Sequence, residues 1–262
     1  MSVAGRWHTR SMSAAPDRTV SRRPWVYGPL VGFDTETTGV DPRHDRLVTA
    51  AVVSRESMDA GGVRAQSVRM WLADPGVEIP AAAAAVHGVT TERARAEGRP
   101  AVEVLEEIAS VLTEAMAANI PVVVFNASFD LTLMEAELAR HGLPTLRQRL
   151  GRELGPVLDP LVLDRAVDRY RPGKRRLEDL CTVYGVSVED SLHTAEVDVT
   201  ATLDVLAAIT VAYPALSRRS TDELVPFQAG AHRAWAESFN DFLRRRGRTP
   251  DVSTSWPLAE GL

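Results

Sequence analysis

The chain has 262 residues, of which 45% are hydrophobic and 25% are charged, a composition typical of a soluble globular protein and not of a fibre or a disordered chain. No segment has the roughly 20 consecutive apolar residues of a membrane-spanning helix. The net charge of −5 argues against a protein that coats nucleic acid, but not against a nuclease, because bound cations make an acidic site locally positive. The single cysteine, Cys181, excludes an internal disulfide and is typical of a reducing compartment, so we expect a cytoplasmic location.

The first 28 residues contain five arginines and one acid without apolar periodicity, which predicts a disordered basic arm over residues 1–28. The apolar core of a secretory signal peptide is missing from this segment. Met1 and Met12 are both candidates for the first residue of the natural protein.

Five strands are predicted from apolar runs separated by turn sequences such as Asp41-Pro42 and Gly61-Gly62. They span residues 30–35, 47–54, 63–72, 121–125 and 157–158. The first three are joined by short turns, which favours an antiparallel meander. The fourth, PVVVF, is apolar throughout, as is typical of a central strand covered on both faces.

Helices are predicted where apolar residues recur every three or four positions. They span residues 101–118, 128–140, 160–170, 175–184, 195–212 and 228–246. This order of elements indicates the α/β class, with a mixed five-stranded sheet flanked by helices in a domain of residues 29–212. Residues 213–262 are predicted to form a C-terminal helical extension and tail. In this extension Trp235, Phe239 and Phe242 share one helical stripe, which we interpret as docked on the main domain, with a partner surface as the alternative.

Two carboxylates, Asp34 and Glu36, end the first strand in the sequence FDTETTG at 33–39. Residues i and i+2 of a strand project from the same face, so the two acids would repel one another there. Grouped carboxylate oxygens are suitable ligands for Mg²⁺ or Mn²⁺. A solvent-exposed acidic strand end is the alternative, but it does not explain why the acids end so apolar a strand.

A second polar cluster, NASFD at 126–130, directly follows the PVVVF strand. Asp130 then lies in the first turn of a helix, where the helix dipole favours a negative charge. Asn126 or Ser128 is the expected N-cap. If the PVVVF strand neighbours the first strand, Asp130 comes close to Asp34 and Glu36. Taken alone, Asp130 is ordinary N-terminal charge.

A third cluster, HTAEVD at 193–198, opens a late helix. Five residues of helix leave about 140° between two side chains, so we place His193 on the loop before the helix and Asp198 in its early turns. Taken alone, His193 is a capping or surface residue and Asp198 a solvated acid.

In this order the three motifs resemble those of the DEDDh family of 3'-5' exonucleases, whose members include the epsilon proofreading subunit of bacterial DNA polymerase III. The resemblance covers about residues 29–212, and FDTETTG is its most specific motif. Thr194 stands where the tyrosine subtype of the family has Tyr, whereas the histidine of the DEDDh subtype is present as His193. The resemblance implies an RNase H-like exonuclease fold and hydrolysis at a 3' end that releases nucleoside 5'-monophosphates.

The resemblance also implies the site residues. Asp34, Glu36, Asp130 and Asp198 would bind two divalent metal ions, Mg²⁺ or Mn²⁺, and His193 would act as the general base. Substrate contacts are implied or considered for Thr37, Thr38, Val86, His87, Asn126 and Phe129. Arg165, Arg169, Arg171, Lys174, Arg175 and Arg176 form a basic segment that follows the phosphates of a single strand or is simply a solvated helix face.

The expected substrates are single-stranded DNA or RNA 3' ends, with DNA favoured in a proofreading or repair role and a DNA polymerase as a candidate partner. One alternative is a 3'-5' exoribonuclease similar to RNase T or oligoribonuclease. Another is a polymerase accessory or scaffold protein with vestigial activity. No membrane partner is expected, and the sequence leaves the oligomeric state open.

Overall fold

The computed structural model describes residues 24–187 and 194–261. Its strands are β1 (Leu30–Thr37), β2 (Leu47–Arg55), β3 (Gln66–Asp74), β4 (Arg99–Pro100), β5 (Val122–Val123) and β6 (Val157–Leu158). Its α-helices are α1 (Ala81–His87), α2 (Thr91–Glu97), α3 (Ala101–Ala117), α4 (Ala127–Arg140), α5 (Leu146–Leu150), α6 (Pro160–Val167), α7 (Leu177–Tyr184), α8 (Ala195–Ala212), α9 (Pro214–Ser217) and α10 (Thr221–Arg245).

The strands form one mixed sheet in the order β4-β3-β2-β1-β5-β6. β1, β2 and β3 pair antiparallel, as the short turns predicted, whereas β5 pairs parallel with β1 and β6 parallel with β5. The five predicted strands are all present. The sixth, β4, is an exposed pair of residues that contains Pro100, and so short a segment carries no alternation to predict it from. The helices α1, α2, α5 and α9 were missed because each spans at most about two turns, too few for an apolar stripe to recur.

The two faces of β1 pack against different helices. Val31 and Phe33 lie in a core with α3 and α4, whereas Leu30 lies in a core with α7 and α8. Because side chains alternate along a strand, Asp34 and Glu36 lie on the α8 face, and Thr35 lies on the α4 face. The strand that carries the acid pair therefore lies between the two helices that carry the other candidate acids.

A glycine sets the distance between β1 and α8. A Cβ atom at Gly32 would lie 2.5 Å from Val199 Cγ1 and 3.0 Å from Leu203 Cδ1. Only a residue without a side chain lets the helix pack this closely on the strand. Val199 follows Asp198 directly, and Asp34 lies two residues after Gly32, so this contact brings the two acids together.

The C-terminal helix contradicts the docking interpretation of its aromatic stripe for Phe239 and Phe242, whereas Trp235 is half-buried against Arg165 of α6. The side chains that α10 buries are those of Leu224, Gln228, His232, Ala236, Asn240 and Leu243. Phe239 and Phe242 are 36% and 42% exposed. Polar residues replace apolar ones on the docked face because their partners are fixed there: Gln228 Nε2 donates to Val157 O at 3.0 Å, and Asn240 Nδ2 donates to Val252 O at 2.8 Å. The helix also begins seven residues earlier than predicted, since Ser220 and Glu223 form a capping box.

The expectation of a disordered arm is wrong for residues 24–28. Trp25–Tyr27 forms a 3-10 helix, Val26 is buried, and Trp25 Nε1 donates to Leu216 O at 3.4 Å. These apolar side chains anchor the segment on the core beside α8. Residues 1–23 lie outside the described residues. Among the helices described, none has the length and apolar character needed to cross a membrane.

Candidate active site

Three carboxylates meet at the end of β1. One oxygen from each of Asp34, Glu36 and Asp198 lies within 4.8 Å of the others. Asp34 and Glu36 share a face of β1, and Asp198 reaches them from the first turn of α8. The structure thus brings together acids that are more than 160 residues apart in the chain, as the three motifs predicted.

Asp130 lies on the same cleft but on the other side of β1. Its Oδ1 accepts hydrogen bonds from Thr35 N at 3.0 Å and from Thr35 Oγ1 at 2.6 Å, and the residue is only 3% exposed. A cleft of about 450 Å³ is lined by Asp34, Asp130 and Asp198. The fourth predicted acid is therefore fixed beside the other three, although it is not one of the three that lie within mutual ligand distance.

The acids raise one another's pKa values. Burial raises the pKa of Asp34 well above its usual range, and repulsion from Asp130, Glu36 and Asp198 adds to the effect. Burial and repulsion from Asp198 and Asp130 raise the pKa of Glu36 to about 7. Burial also raises the pKa of Asp130 to about 7, against the opposing hydrogen bonds from Thr35.

This donor set fits divalent cations. No ion pair links Asp34, Glu36 or Asp130 to a basic side chain among the described residues. Grouped carboxylates without a counter-charge are unfavourable by themselves, and a bound cation reverses the sign of the interaction. Hard oxygen ligands of this kind suit Mg²⁺ or Mn²⁺ better than a soft metal.

A buried acid that the sequence analysis missed holds the start of α4. Asn126 N and Ala127 N donate to the two Asp159 oxygens at 3.1 and 2.9 Å, and Asp159 also caps α6. Asn126 occupies the N-cap position in a left-handed conformation, at φ 62°, but its side chain makes no capping hydrogen bond. Side-chain capping by Asn126 or Ser128 was thus the wrong expectation. The left-handed backbone of Asn126 is not the extended conformation from which an N-cap side chain reaches the next amides, and Asp159, 33 positions away, accepts from the first two N–H groups instead. The available signal was the sequence Asp159-Pro160, a typical N-cap and N1 pair before an apolar run.

The turn after the acid pair is also held by an acid that was not predicted. Thr38 Oγ1 donates to Asp45 Oδ1 at 2.8 Å, and Asp41 N donates to Asp45 Oδ2 at 2.7 Å. A Cβ atom at Gly39 would lie 2.6 Å from Asp45 Oδ2, so the glycine of FDTETTG leaves room for this carboxylate. Thr37 Oγ1 donates to Gly39 O at 2.5 Å. Both threonine hydroxyls are therefore engaged within the protein.

Of the other predicted substrate contacts, two line the cleft and two are not among its lining residues. Asn126 and the half-buried Phe129 line it. Val86 is 56% exposed at the end of α1. Burial lowers the pKa of His87, and the backbone of Thr37 nearby opposes the shift. His87 Nδ1 accepts from Val89 N at 3.2 Å, while His87 Nε2 has no hydrogen-bond partner among the described residues. His193 lies outside the described residues, so its role stays a prediction.

A family model described as an exonuclease, of the RNase T type, matches residues 31–206. The chain belongs to this exonuclease family. The family match covers the three motifs from β1 to α8, and the recognition of a DEDDh 3'-5' exonuclease from those motifs is confirmed.

The curated relatives of this exonuclease are much longer proteins. DNA polymerase III PolC-type from Streptococcus thermophilus is 32% identical over 173 residues, which are 66% of this chain and 10% of the relative. The PolC-type polymerase of Streptococcus pneumoniae is 30% identical over the same length. The chain spans about a tenth of the length of these relatives.

Solved structures share the fold at low identity. E. coli exonuclease I in complex with a dT13 oligonucleotide matches with a TM-score of 0.58 and 21% identity, over 72% of this chain and 42% of that chain. The complex of E. coli exonuclease I with a dA16 oligonucleotide matches with a TM-score of 0.60 and 20% identity, over 79% and 44% of the two chains. The fold is therefore RNase H-like, as the motifs implied.

Proposed function

We propose that this chain is a metal-dependent 3'-5' exonuclease that removes nucleoside 5'-monophosphates from single-stranded DNA. The observation that carries the proposal is the group formed by Asp34, Glu36 and Asp198, with ligand oxygens within 4.8 Å of one another and Asp130 on the same cleft. Family membership supports the reaction class. The bound dT13 and dA16 of the solved exonuclease I structures support DNA as the substrate.

The four acids divide into two groups on the cleft, one for each of two proposed cations. Asp34, Glu36 and Asp198 would hold one divalent cation, Mg²⁺ or Mn²⁺, and Asp130 would hold a second, with Asp34 shared between them. Two such cations supply positive charge to the phosphate and acidify the attacking water. Thr35 donates two hydrogen bonds to Asp130 Oδ1, which leaves Asp130 Oδ2 for a ligand or a water.

The remaining residues act on the water and on the terminal nucleotide. His193 would accept the proton of the attacking water, because the ordinary pKa of histidine, near 6.5, suits a base at neutral pH. Phe129 and Asn126 line the cleft and would contact the terminal base or sugar. The turn at Thr37 and Thr38, fixed by Asp45, would present backbone groups to the 3' end, since both hydroxyls are already engaged. Val86 and His87 would lie on the substrate side of the same turn.

The experiment that tests this function uses a 5'-labelled single-stranded oligonucleotide. With Mn²⁺ or Mg²⁺ we expect a ladder of products shortened from the 3' end and release of nucleoside 5'-monophosphates, and with EDTA no shortening. Asp34→Asn should abolish the ladder, whereas the matched control Asp251→Asn, an exposed acid of the C-terminal tail, should not. An intact oligonucleotide with wild-type protein and metal would instead favour the scaffold role.

Substrate preference is tested in the same assay. Single-stranded DNA, RNA of the same sequence and a primer with a mismatched 3' end should be degraded in parallel reactions. We expect DNA to be shortened faster than RNA; the reverse would identify an exoribonuclease. The PolC-type relatives support a proofreading or repair role beside a DNA polymerase, and the single cysteine supports a cytoplasmic location.

A further inference from the structure

A second and larger groove adjoins the active-site cleft. It has a volume of about 940 Å³ and lies between α10 and the segment formed by α6 and residues 168–176. Arginines and aromatic residues line it together, namely Arg165, Arg169, Arg171, Arg175, Trp235 and Phe239. Arg171 and Arg175 are paired with Asp164, and Arg171 also with Asp168, whereas Arg165 and Arg169 have no ion pair among the described residues and give the groove its positive charge, although the whole chain has a net charge of −5. The groove is therefore a locally basic surface on an acidic protein.

The groove and the active-site cleft are continuous. Arg165 and Arg175 line both of them. Arg165 has no carboxylate within ion-pair distance among the described residues, and its guanidinium lies 3.6 Å from the centre of the Trp235 ring. Its charge is therefore available to a phosphate at the junction of the two cavities.

The aromatic side chains of α10 form a row beside these arginines. The ring centres of Trp235 and Phe239 are 5.5 Å apart with planes 12° apart, and the planes of Phe239 and Phe242 are 22° apart. Phe239 is 36% exposed, and Tyr170 on the opposite wall is 88% exposed. Exposed aromatic rings beside an arginine-lined groove are the combination with which proteins hold unpaired nucleic acid, since bases stack on the rings and phosphates follow the charges.

We propose that this groove binds the single strand upstream of the 3'-terminal nucleotide. Phosphates lie along Arg165 and Arg169, and bases stack on Trp235 and Phe239. A duplex does not fit this role, because its bases are already stacked and paired. The assignment rests on the proposed exonuclease function for the direction of the strand, and it gives the C-terminal helix a role in substrate binding.

The test compares a long and a short substrate. A dinucleotide reaches only the active-site cleft, whereas a 12-mer of thymidine also reaches the groove. We expect Trp235→Ala and Phe239→Ala to raise KM for the 12-mer about 5- to 50-fold with little change in kcat, from the stacking that each base loses. Hydrolysis of the dinucleotide should stay unchanged. Tyr27→Ala is the matched control, because it removes a ring of similar exposure, 37%, that lies outside the groove lining and outside the aromatic row of α10.

Charge is tested separately with Arg169→Ala, which should weaken 12-mer binding and reduce its dependence on salt by about one phosphate contact. Arg233→Ala, an exposed arginine of α10 outside the groove, is its control. The proposal is wrong if the groove variants bind and degrade the 12-mer as the wild type does, or if they lose activity equally on both substrates.

A binding assay separates this proposal from the proposed function. Fluorescence anisotropy of a labelled 12-mer with Asp34→Asn protein in EDTA requires no hydrolysis. If the wild type degrades nothing but Trp235→Ala still weakens binding, the groove stands and the exonuclease assignment fails. If degradation occurs and Trp235→Ala leaves binding unaffected, the exonuclease assignment stands and the groove proposal fails.

Discussion

Asp159 and Asp164 are buried among hydrogen-bond donors, whereas Asp34, Glu36 and Asp130 are grouped with other acids. Asp164 is 0% exposed and accepts from Arg171 Nη2 at 3.0 and 2.8 Å and from Tyr184 Oη at 2.7 Å.

Asp159, 1% exposed, accepts from four backbone N–H groups that belong to the first turns of α4 and α6. A buried carboxylate needs such donors or a counter-charge to remain ionised. Asp34, Glu36 and Asp130 have no ion pair with a basic side chain among the described residues, so this acidic group suits a cation that the protein does not itself supply.

The largest effect is expected from Asp34→Asn, which removes the carboxylate that we propose both cations would share. Activity on a single-stranded oligonucleotide should fall by about a thousandfold or more, since charge stabilisation of several kcal/mol is lost. The metal-free variant should nevertheless be more stable than metal-free wild type, because the substitution removes repulsion with Glu36, Asp130 and Asp198. Rate assays with Mn²⁺ and urea unfolding in EDTA measure the two effects. Loss of both activity and metal-free stability would contradict this explanation.

The opposite effect on stability is expected for Asp164→Asn. This change removes the charge that pairs with Arg171 and Arg175, and it should lower the free energy of unfolding by about 3 kcal/mol, as is usual when one member of a buried ion pair is lost. Asp168→Asn is the matched control. Its side chain is 33% exposed and lies 3.4 Å from Arg171 Nε, so its loss should cost less than about 1 kcal/mol. Urea unfolding of the three proteins in EDTA decides the comparison, and equal losses for the two variants would refute it.

A pH titration sharpens the contrast for Glu36. Its pKa in the folded protein is about 7, above the ordinary value of 4.5, so the folded state binds the proton more tightly than the unfolded state. The stability of metal-free wild type should therefore fall as the pH rises from about 4.5 to about 7, relative to Glu36→Gln. The difference should reach about 1 to 3 kcal/mol above pH 7, since one pKa unit corresponds to about 1.4 kcal/mol and Glu36 is partly exposed.

Glu56→Gln is the control for this titration, since Glu56 is an exposed acid that lies directly after β2. The part of the trend that belongs to Glu36 is the part that exceeds the trend of this control. Saturating Mn²⁺ should abolish the trend for Glu36. A pH-independent difference between Glu36→Gln and wild type would show that burial and repulsion from Asp198 and Asp130 do not raise the pKa of this carboxylate.

The contrast also shows which parts of the site the sequence could predict. The period of a strand placed Asp34 and Glu36 on one face, which is a local pattern. That Asp130 and Asp198 would join them on the same cleft was implied by the resemblance of the three motifs to the DEDDh family.

The roles of Asp159 and Gln228 depend on partners distant in the chain. Asp159 caps a helix 32 residues before it, and Gln228 Oε1 accepts from Asp159 N at 2.7 Å. Hydrophobic periodicity does not reveal partners that are distant in the chain. In the sequence, a polar residue on the docked face of α10 cannot be distinguished from a polar residue on an exposed face. We therefore predict from the sequence that the aromatic stripe, and not the polar residues, packs on the main domain, whereas in the structure the stripe lies beside a groove.

The smallest expected effect concerns the contact that brings α8 to the acid pair. Gly32→Ala places a Cβ atom 2.5 Å from Val199 Cγ1 and 3.0 Å from Leu203 Cδ1, so these side chains and α8 must shift, by about 1 Å at Val199, to restore ordinary contact. Overpacking of this kind should cost about 1 to 2 kcal/mol of stability. The shift also moves Asp198 away from Asp34, so we expect activity at limiting Mn²⁺ to fall about tenfold and to recover in part at saturating Mn²⁺.

Removal of the Val199 methyl groups should make room for the new Cβ atom and so reverse the shift of α8. The double variant Gly32→Ala with Val199→Ala should therefore recover both Mn²⁺ affinity and activity relative to Gly32→Ala alone. Gly61→Ala, at an exposed turn where a Cβ atom meets only the Asp59 carboxylate at 3.4 Å, should leave both unchanged. If Gly32→Ala lost stability but kept full activity at limiting Mn²⁺, the position of Asp198 would not depend on this glycine. The acid group would then be held by the remainder of α8, and the close approach of helix to strand would serve packing alone.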